Sequence, residues 1–408
     1  MSFLSNPIGF IADWLTTILT GWGLSPGLTA VILNLIGVVV LASFVLIVDI
    51  LLVLVERKVV ARLQDRLGPN RLGPFGLIQP VADVIKLLLK EEITPFGADK
   101  FVYNLAPILA LATVLLLWAV IPLGPNILGS DLNVGILYIV SVGAISTLGI
   151  IIAGWSSNNK YALLGAFRTV ATMVSFEVPM VIALLVPVIL ARTMGINGIV
   201  ENQSVWYIIA SPVAALIFLI CIQAELGRAP FDINEAESEI VAGFHIEYTG
   251  MKFGLFYAGE LLHALTFGAL FACLFLGGWR GPWADQVPIL GVVYLFIKAF
   301  IIYFIIMWVK YSMPRIRIDQ MLNFCWKFLT PLALVLVIVT AIVNKLLENP
   351  TLPAYINTIT QVIYFLVNLV IVLLTVQILR TYARTERVRV AEPRPVAVSP
   401  EPPAAEVP

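Results

Sequence analysis

Between two apolar stretches, residues 225–247 carry Glu225, Asp232, Glu235, Glu237, Glu239 and Glu247 against a single opposing charge, Arg228. Like charges crowded beside a low-dielectric layer raise one another's pKa values, which makes some of these carboxylates proton-active. If the segment is helical, Glu235 and Glu239 share a face and Glu237 points elsewhere. Solvated surface acids are the plain alternative for Glu235 and Glu247. Glu225 stands apart because it closes an apolar run and precedes Arg228 by three residues.

Other acids sit where a soluble surface does not explain them. Glu56-Arg57-Lys58 ends the first long apolar run, with Arg62, Asp65 and Arg66 following. The basic residues read equally as membrane-edge anchors, whereas Glu56 either fixes the mouth of a pocket or neutralises its neighbours. Asp49, about two turns deeper, is an acid inside a span and therefore a functional candidate by default. Glu177 follows Lys160 and Arg168 and opens an apolar run containing Pro179, so it reads as a buried, proton-active acid. Glu260 lies inside a later run three residues before His263, a pair able to share a proton near neutral pH, although a plain core histidine is the commoner fate. Asp83 and Lys86 are three apart on the polar side of an amphipathic segment, either as a solvated ion pair or as the wall of a cavity for an amphipathic ligand.

Metal and redox centres are not encoded. The three cysteines, Cys221, Cys273 and Cys325, have no paired spacing, and His245 and His263 have no third partner at ligand spacing. Electrons passing near this chain would be carried by another subunit.

The elements that must position these residues follow from composition. With 60% hydrophobic and 12% charged residues among 408, and a mean hydropathy of +0.97, the chain is all-α: a polytopic membrane helix bundle with no large soluble domain. Nine runs approach the roughly 20 apolar residues that a bilayer requires: 29–55, 104–122, 135–155, 177–191, 205–224, 254–277, 289–308, 328–343 and 355–379, the fourth and eighth being short. Residues 8–20 are too few to span and form an interfacial helix. From 76 to 91, Gln79, Asp83, Lys86 and Lys90 recur at helical spacing opposite Ile78, Val81, Ile85 and Leu88, which predicts an amphipathic surface helix.

Loops alternate in charge. If the loop after the first span is cytoplasmic, that side receives every basic residue except Arg192, Arg280, Lys345 and the in-span Lys298. The expected layout is a multi-pass protein of the inner (plasma) membrane with its N-terminus outside and its C-terminus cytoplasmic. Its parts are an interfacial segment 1–28, an eight-helix core 29–346, an additional helix 347–380, and a disordered tail 381–408 rich in Pro, Ala, Val and Glu.

Three long loop motifs, ERKVVARLQDRLGPNRLGPFGLIQPVADVIKLLLKEE, GWSSNNKYALLGAFRTV with SFE, and AELGRAPFDINEAESEIVAGFHIEY, resemble the H subunit of proton-pumping NADH:quinone oxidoreductase, respiratory complex I. The resemblance covers about residues 28–346 and departs at Gly227, where many relatives carry Asn, and in the ninth span and tail. It implies a subunit at the junction of membrane and peripheral arms, with quinone as substrate and no covalently bound cofactor. It further implies that Glu56, Arg57, Arg62, Asp83 and Lys86 line or support a quinone chamber. Glu177, Glu225, Glu237, Glu239 and Glu260 would form a proton path. Implied partners are the iron–sulfur and quinone-site subunits of the peripheral arm, antiporter-like membrane subunits and the lipid bilayer, with no nucleic acid. Two other readings share the acids and the spans: the anchor subunit of a membrane-bound hydrogenase, and a stand-alone cation/proton transporter using Asp49, Glu177 and Glu260.

Overall fold

The computed structural model describes residues 7–125, 127–233, 237–347 and 356–391. Fifteen α-helices follow in order: α1 Pro7–Gly21, α2 Pro26–Leu63, α3 Gln79–Leu89, α4 Lys100–Trp118, α5 Gly135–Ser156, α6 Lys160–Ala191, α7 Ile196–Asn202, α8 Tyr207–Ala210, α9 Pro212–Glu225, α10 Glu237–Ile240, α11 Gly250–Phe275, α12 Pro288–Ser312, α13 Ile318–Phe324, α14 Thr330–Leu347 and α15 Ile356–Ala391. No β-strand occurs among the described residues; a lone bridge joins Gly124 and Ile127.

Eight helical stretches are long and apolar enough to cross a membrane, with α13 and α14 counted as one, and α9 is a shorter apolar helix. The chain is therefore an all-α, multi-pass membrane protein. The expected span 205–224 is interrupted for a local reason: Ser211 is non-helical, and Pro212, which has no N–H to donate, starts a fresh helix in which that loss is harmless. α6 begins at Lys160, well before the apolar run at 177, because Asn159 caps it by accepting from the Tyr161 N–H at 2.9 Å. α15 runs on to Ala391, so 381–391 is helical rather than tail, in keeping with a stretch that meets no proline before Pro393. Residues 392–408 lie outside the described residues.

α11 is the hub. From Leu261 to Phe275 every residue is buried, and the helix touches α2, α3, α4, α7, α9 and α12. In lipid, helices gain by packing backbones closely rather than by excluding water. Gly268 permits this: a Cβ there would stand 2.8 Å from the Ala299 carbonyl oxygen of α12.

Prolines inside spans leave carbonyls without their helical donors, and in lipid each must be satisfied within the protein. Pro107 frees the Tyr103 carbonyl, which accepts from the Tyr248 hydroxyl at 3.2 Å. Pro179 frees the Ser175 carbonyl, which the buried Cys325 thiol approaches at 3.0 Å. Cys325 is delivered there by a π-helical turn, Cys325–Leu329, between α13 and α14.

Candidate functional site

The described parts of the 226–247 segment, which include the short α10, lie over the ends of α4, α5, α6 and α11 and are pinned at several points. Gln223 Nε2 donates to the Ala229 carbonyl at 2.6 Å, the Ile316 N–H to the Pro230 carbonyl at 3.0 Å, and Arg315 pairs with Asp232 at 2.8 Å. Farther on, the Tyr103 hydroxyl donates to the Glu247 carbonyl at 2.7 Å, and Asn159 donates to the Glu247 carboxylate at 2.6 Å. Gly165 of α6 lets the loop in, since a Cβ there would meet Gly243 Cα at 2.7 Å.

Beneath this loop lies a cavity of about 280 Å³ enclosed by α4, α5, α6, α11 and the ends of α9 and α12. Its charged lining is Glu225, Arg228, Asp232, Glu260 and Lys310, joined by His245 and His263, and its apolar wall includes Phe244, Phe253 and Phe256. Arg228 is only 1% exposed. Its Nε donates to Glu260 Oε1 at 3.4 Å, while both terminal nitrogens are buried without a hydrogen-bond partner. Burial alone would lower its pKa; Glu260 and Glu56 overcome that and hold it above the ordinary arginine value.

Lys310 extends the network to 3.9 Å from Glu260 and 3.1 Å from Glu56 Oε1. Glu56 is buried and also accepts from the hydroxyls of Tyr311 at 2.7 Å and Tyr303 at 3.4 Å. Two cations and two carboxylates thus balance within one partly dry cluster. Glu225 has no such compensation: it is buried, its Oε2 has no hydrogen-bond partner, and the charge that acts on it most is another acid, Glu177. Asp49, one face up α2 from Glu56, is also buried with Oδ1 unpartnered.

Of the acids expected from sequence, Glu225 and Glu260 line the cavity, Glu56 stands behind Lys310, and Glu177 is half-buried beside Glu225. Glu239 pairs instead with Arg168 of α6. Glu235 and the side chain of Glu237 lie outside the described residues. One expected pairing is corrected, and His263 takes the core role given above as its commoner fate. Asp83 pairs not with Lys86 but with Arg57 at 2.5 Å, tying α3 to α2, because both side chains face the groove between those helices. Glu260 is held by Arg228 and Lys310 rather than by His263, which stacks on Phe267 with ring centroids 4.6 Å apart. Arg62 and Lys86 are exposed and do not line the cavity. The apolar face of α3 is exposed as well, with Val81, Ile85 and Leu88 at 46%, 50% and 61%, as expected of a helix lying on a membrane surface.

Sequence reasoning missed Lys310, Tyr303 and Tyr311. Lys310 reads as one more anchor at the end of a span, and nothing local links it to Glu56, 254 positions away. His245 carries no local signal either; burial lowers its pKa below the ordinary histidine value, with Glu260 pulling the other way.

A bundle of membrane-spanning helices with buried carboxylates around a cavity at one end defines a multi-pass membrane protein that holds charged groups within its helices. The chain belongs to the NADH dehydrogenase family, whose model matches residues 36–341. It is 48% identical over 308 residues to the H subunit of NADH-quinone oxidoreductase from Dehalococcoides mccartyi strain CBDB1, an alignment covering 75% of this chain and 86% of that one. To an H subunit of the Geobacter metallireducens enzyme it is 46% identical over 299 residues, covering 71% and 89%. To the H subunit of the Brevibacillus brevis enzyme the figures are 46% over 291 residues, 71% and 86%.

Proposed function

We propose that this chain is the membrane subunit of an NADH:quinone oxidoreductase that forms the membrane side of the quinone chamber and couples quinone reduction to proton translocation. The observation that carries this reading is the cavity, in which Arg228 and Lys310 neutralise Glu56 and Glu260 while Glu225 is left without a cation. Family membership supplies the reaction and the assembly.

Reduction of a quinone to a quinol takes two electrons and two protons. An iron–sulfur cluster of a peripheral-arm partner delivers the electrons. This chain contributes the cavity wall and the acids whose charge answers the change. The free terminal nitrogens of Arg228 stabilise negative charge that builds in the chamber. Glu260 and Glu56 share those cations, so any shift of Arg228 or Lys310 toward the chamber leaves the two carboxylates less compensated. Glu225 and Glu177, coupled to each other, then pass the proton change away from the chamber with Glu237 and Glu239, toward antiporter-like partners. Glu56, through Lys310, and the Arg57–Asp83 pair support the α2–α3 side from behind the cavity wall, and exposed Arg62 and Lys86 would meet the chamber only where a partner subunit extends it. The N-terminus faces outward, and the cavity end faces the cytoplasm.

Purification of the tagged chain under mild native conditions, followed by assay with NADH and with hydrogen as alternative donors, tests the proposal. The expected result is a large co-eluting assembly with inhibitor-sensitive NADH:quinone activity. Hydrogen-only activity, or proton transport by the chain alone in liposomes, refutes it.

A further inference from the structure

We propose that the end of the bundle opposite the acid-lined cavity carries a specific site for the phosphoethanolamine headgroup of a phospholipid. The connection from α11 to α12 and the approach to α8 enclose a polar cavity of about 320 Å³ there, lined by Gln203, Ser204, Trp206, Gly277, Arg280 and Asp285. By topology it lies across the membrane from Glu225, Gly250 and Lys310, which sit at the other ends of α9, α11 and α12.

The lining is built, not incidental. Gln203 is 3% exposed. Its Nε2 donates to the carbonyls of Cys273 at 2.7 Å and Leu274 at 3.1 Å, which fixes the amide orientation. Its Oε1 is consequently turned away from those carbonyls, buried, and without a donor among the described residues. A Cβ on Gly277, itself in the lining, would stand 3.8 Å from that oxygen. A buried amide oxygen left unpaired costs about 1–3 kcal/mol, which an N–H or O–H donor reaching it at the edge of the cavity would offset.

Two charges of opposite sign flank this acceptor. Arg280 is anchored through Nη1 to the Glu201 carbonyl at 3.1 Å and to the Gln203 carbonyl, yet it forms no ion pair among the described residues, and neither does Asp285. Lys298 braces the loop, donating to the carbonyls of Leu276, Gly278 and Arg280 at 2.8, 2.8 and 2.9 Å. A phosphate suits Arg280. A primary ammonium suits Gln203 Oε1 and Asp285, because it carries both the charge and the N–H donors. A quaternary choline has no N–H, and a glycerol headgroup has no positive charge for Asp285.

The same zwitterion exists free in solution as glycerophosphoethanolamine, but the surroundings favour the lipid. Trp206 in the lining and Trp283 in the same α11–α12 connection are 48% and 70% exposed, like the aromatic belt of a membrane interface. On α12, into which the same connection leads, Ile289, Val293 and Ile297 form an exposed i, i+4, i+8 stripe, an apolar track for an acyl chain.

The test uses the whole assembly containing this chain, reconstituted with photoreactive lipids bearing a diazirine on an acyl chain, with the labelled peptides mapped by mass spectrometry. Labelling of the 289–297 stripe by phosphatidylethanolamine should exceed that by phosphatidylcholine or phosphatidylglycerol about tenfold. It should fall about tenfold in Asp285→Asn, an exposed substitution that leaves folding intact. Equal labelling by the three headgroups, or undiminished labelling in Asp285→Asn, overturns the site. Loss of labelling on adding equimolar soluble glycerophosphoethanolamine overturns the lipid assignment.

Discussion

Replacing Arg228 with Gln removes one of two cations from a cluster that holds two carboxylates. At 3.4 Å, the Arg228–Glu260 attraction is about 5 kcal/mol at an effective dielectric of about 20. Glu260 is 30% exposed on its side chain, so solvent screening reduces that by roughly half, to about 2–3 kcal/mol. The single variant leaves Glu56 and Glu260 facing Lys310 alone, and one buried carboxylate goes uncompensated. Restoring neutrality by Glu260→Gln in the same chain removes the surplus charge. The expected outcome is a roughly 30- to 150-fold fall in assembled complex for Arg228→Gln, measured on native gels. Arg228→Gln/Glu260→Gln should recover at least about tenfold of that loss. Assembly is the proper readout, because Glu260 itself belongs to the proposed proton path and its loss lowers coupled activity. If the double variant assembles no better than Arg228→Gln, charge balance is not what holds the cluster together, and the account of the cavity is wrong.

Glu177→Gln and Glu237→Gln should leave assembly intact and lower proton pumping per quinone reduced; unchanged pumping in both variants removes these acids from the path. Tyr248→Phe strips the donor from the Tyr103 carbonyl freed by Pro107 and should cost about 1–3 kcal/mol, read as faster heat inactivation of the assembled complex. Adding Pro107→Ala restores a backbone donor to that carbonyl and should reverse the effect; failure to do so shows that the hydroxyl matters for another reason. His245, with its pKa lowered by burial, binds fewer protons folded than unfolded just below its ordinary value of 6.5, so stability rises with pH through that window and falls as pH drops through it. His245→Gln should flatten this acid-side loss of heat resistance, and an unchanged pH profile excludes the residue as its source.

Spans were legible because a bilayer imposes a local rule: enough consecutive apolar residues to cross it. Boundaries were less so. Hydropathy cannot see that α6 starts at Lys160, because the polar residues preceding Glu177 still propagate a capped helix. Nor does it penalise Pro212, which divides the expected fifth span into α8 and α9. At the site the acids could be read from sequence and their partners could not. Glu56 and Glu260 stood out as carboxylates in apolar surroundings, but the cation joining them, Lys310, comes from the end of α12 and carries no local mark. Asp83 looked toward Lys86 only because sequence spacing shows neighbours on one helix, never a side chain from the next. The donors that rescue proline-freed carbonyls, Tyr248 and Cys325, are likewise 145 and 150 positions from their acceptors.

The pairing pattern itself divides the acids by role. Glu56 is a carboxylate held by a fixed cation and hydroxyl donors, Lys310, Tyr311 and Tyr303. Glu225 is a buried carboxylate with one oxygen unpartnered, and the charge that acts on it most is another acid, Glu177. Arg228 stands at the boundary between the two groups in the cavity wall, bound to Glu260 and with its outer nitrogens free. On the proposed reading, a negative charge arriving in the chamber competes with Glu260 for that guanidinium. On the proposed path, coupling of this kind requires only that one buried arginine be displaced between two acceptors, with no helix moved.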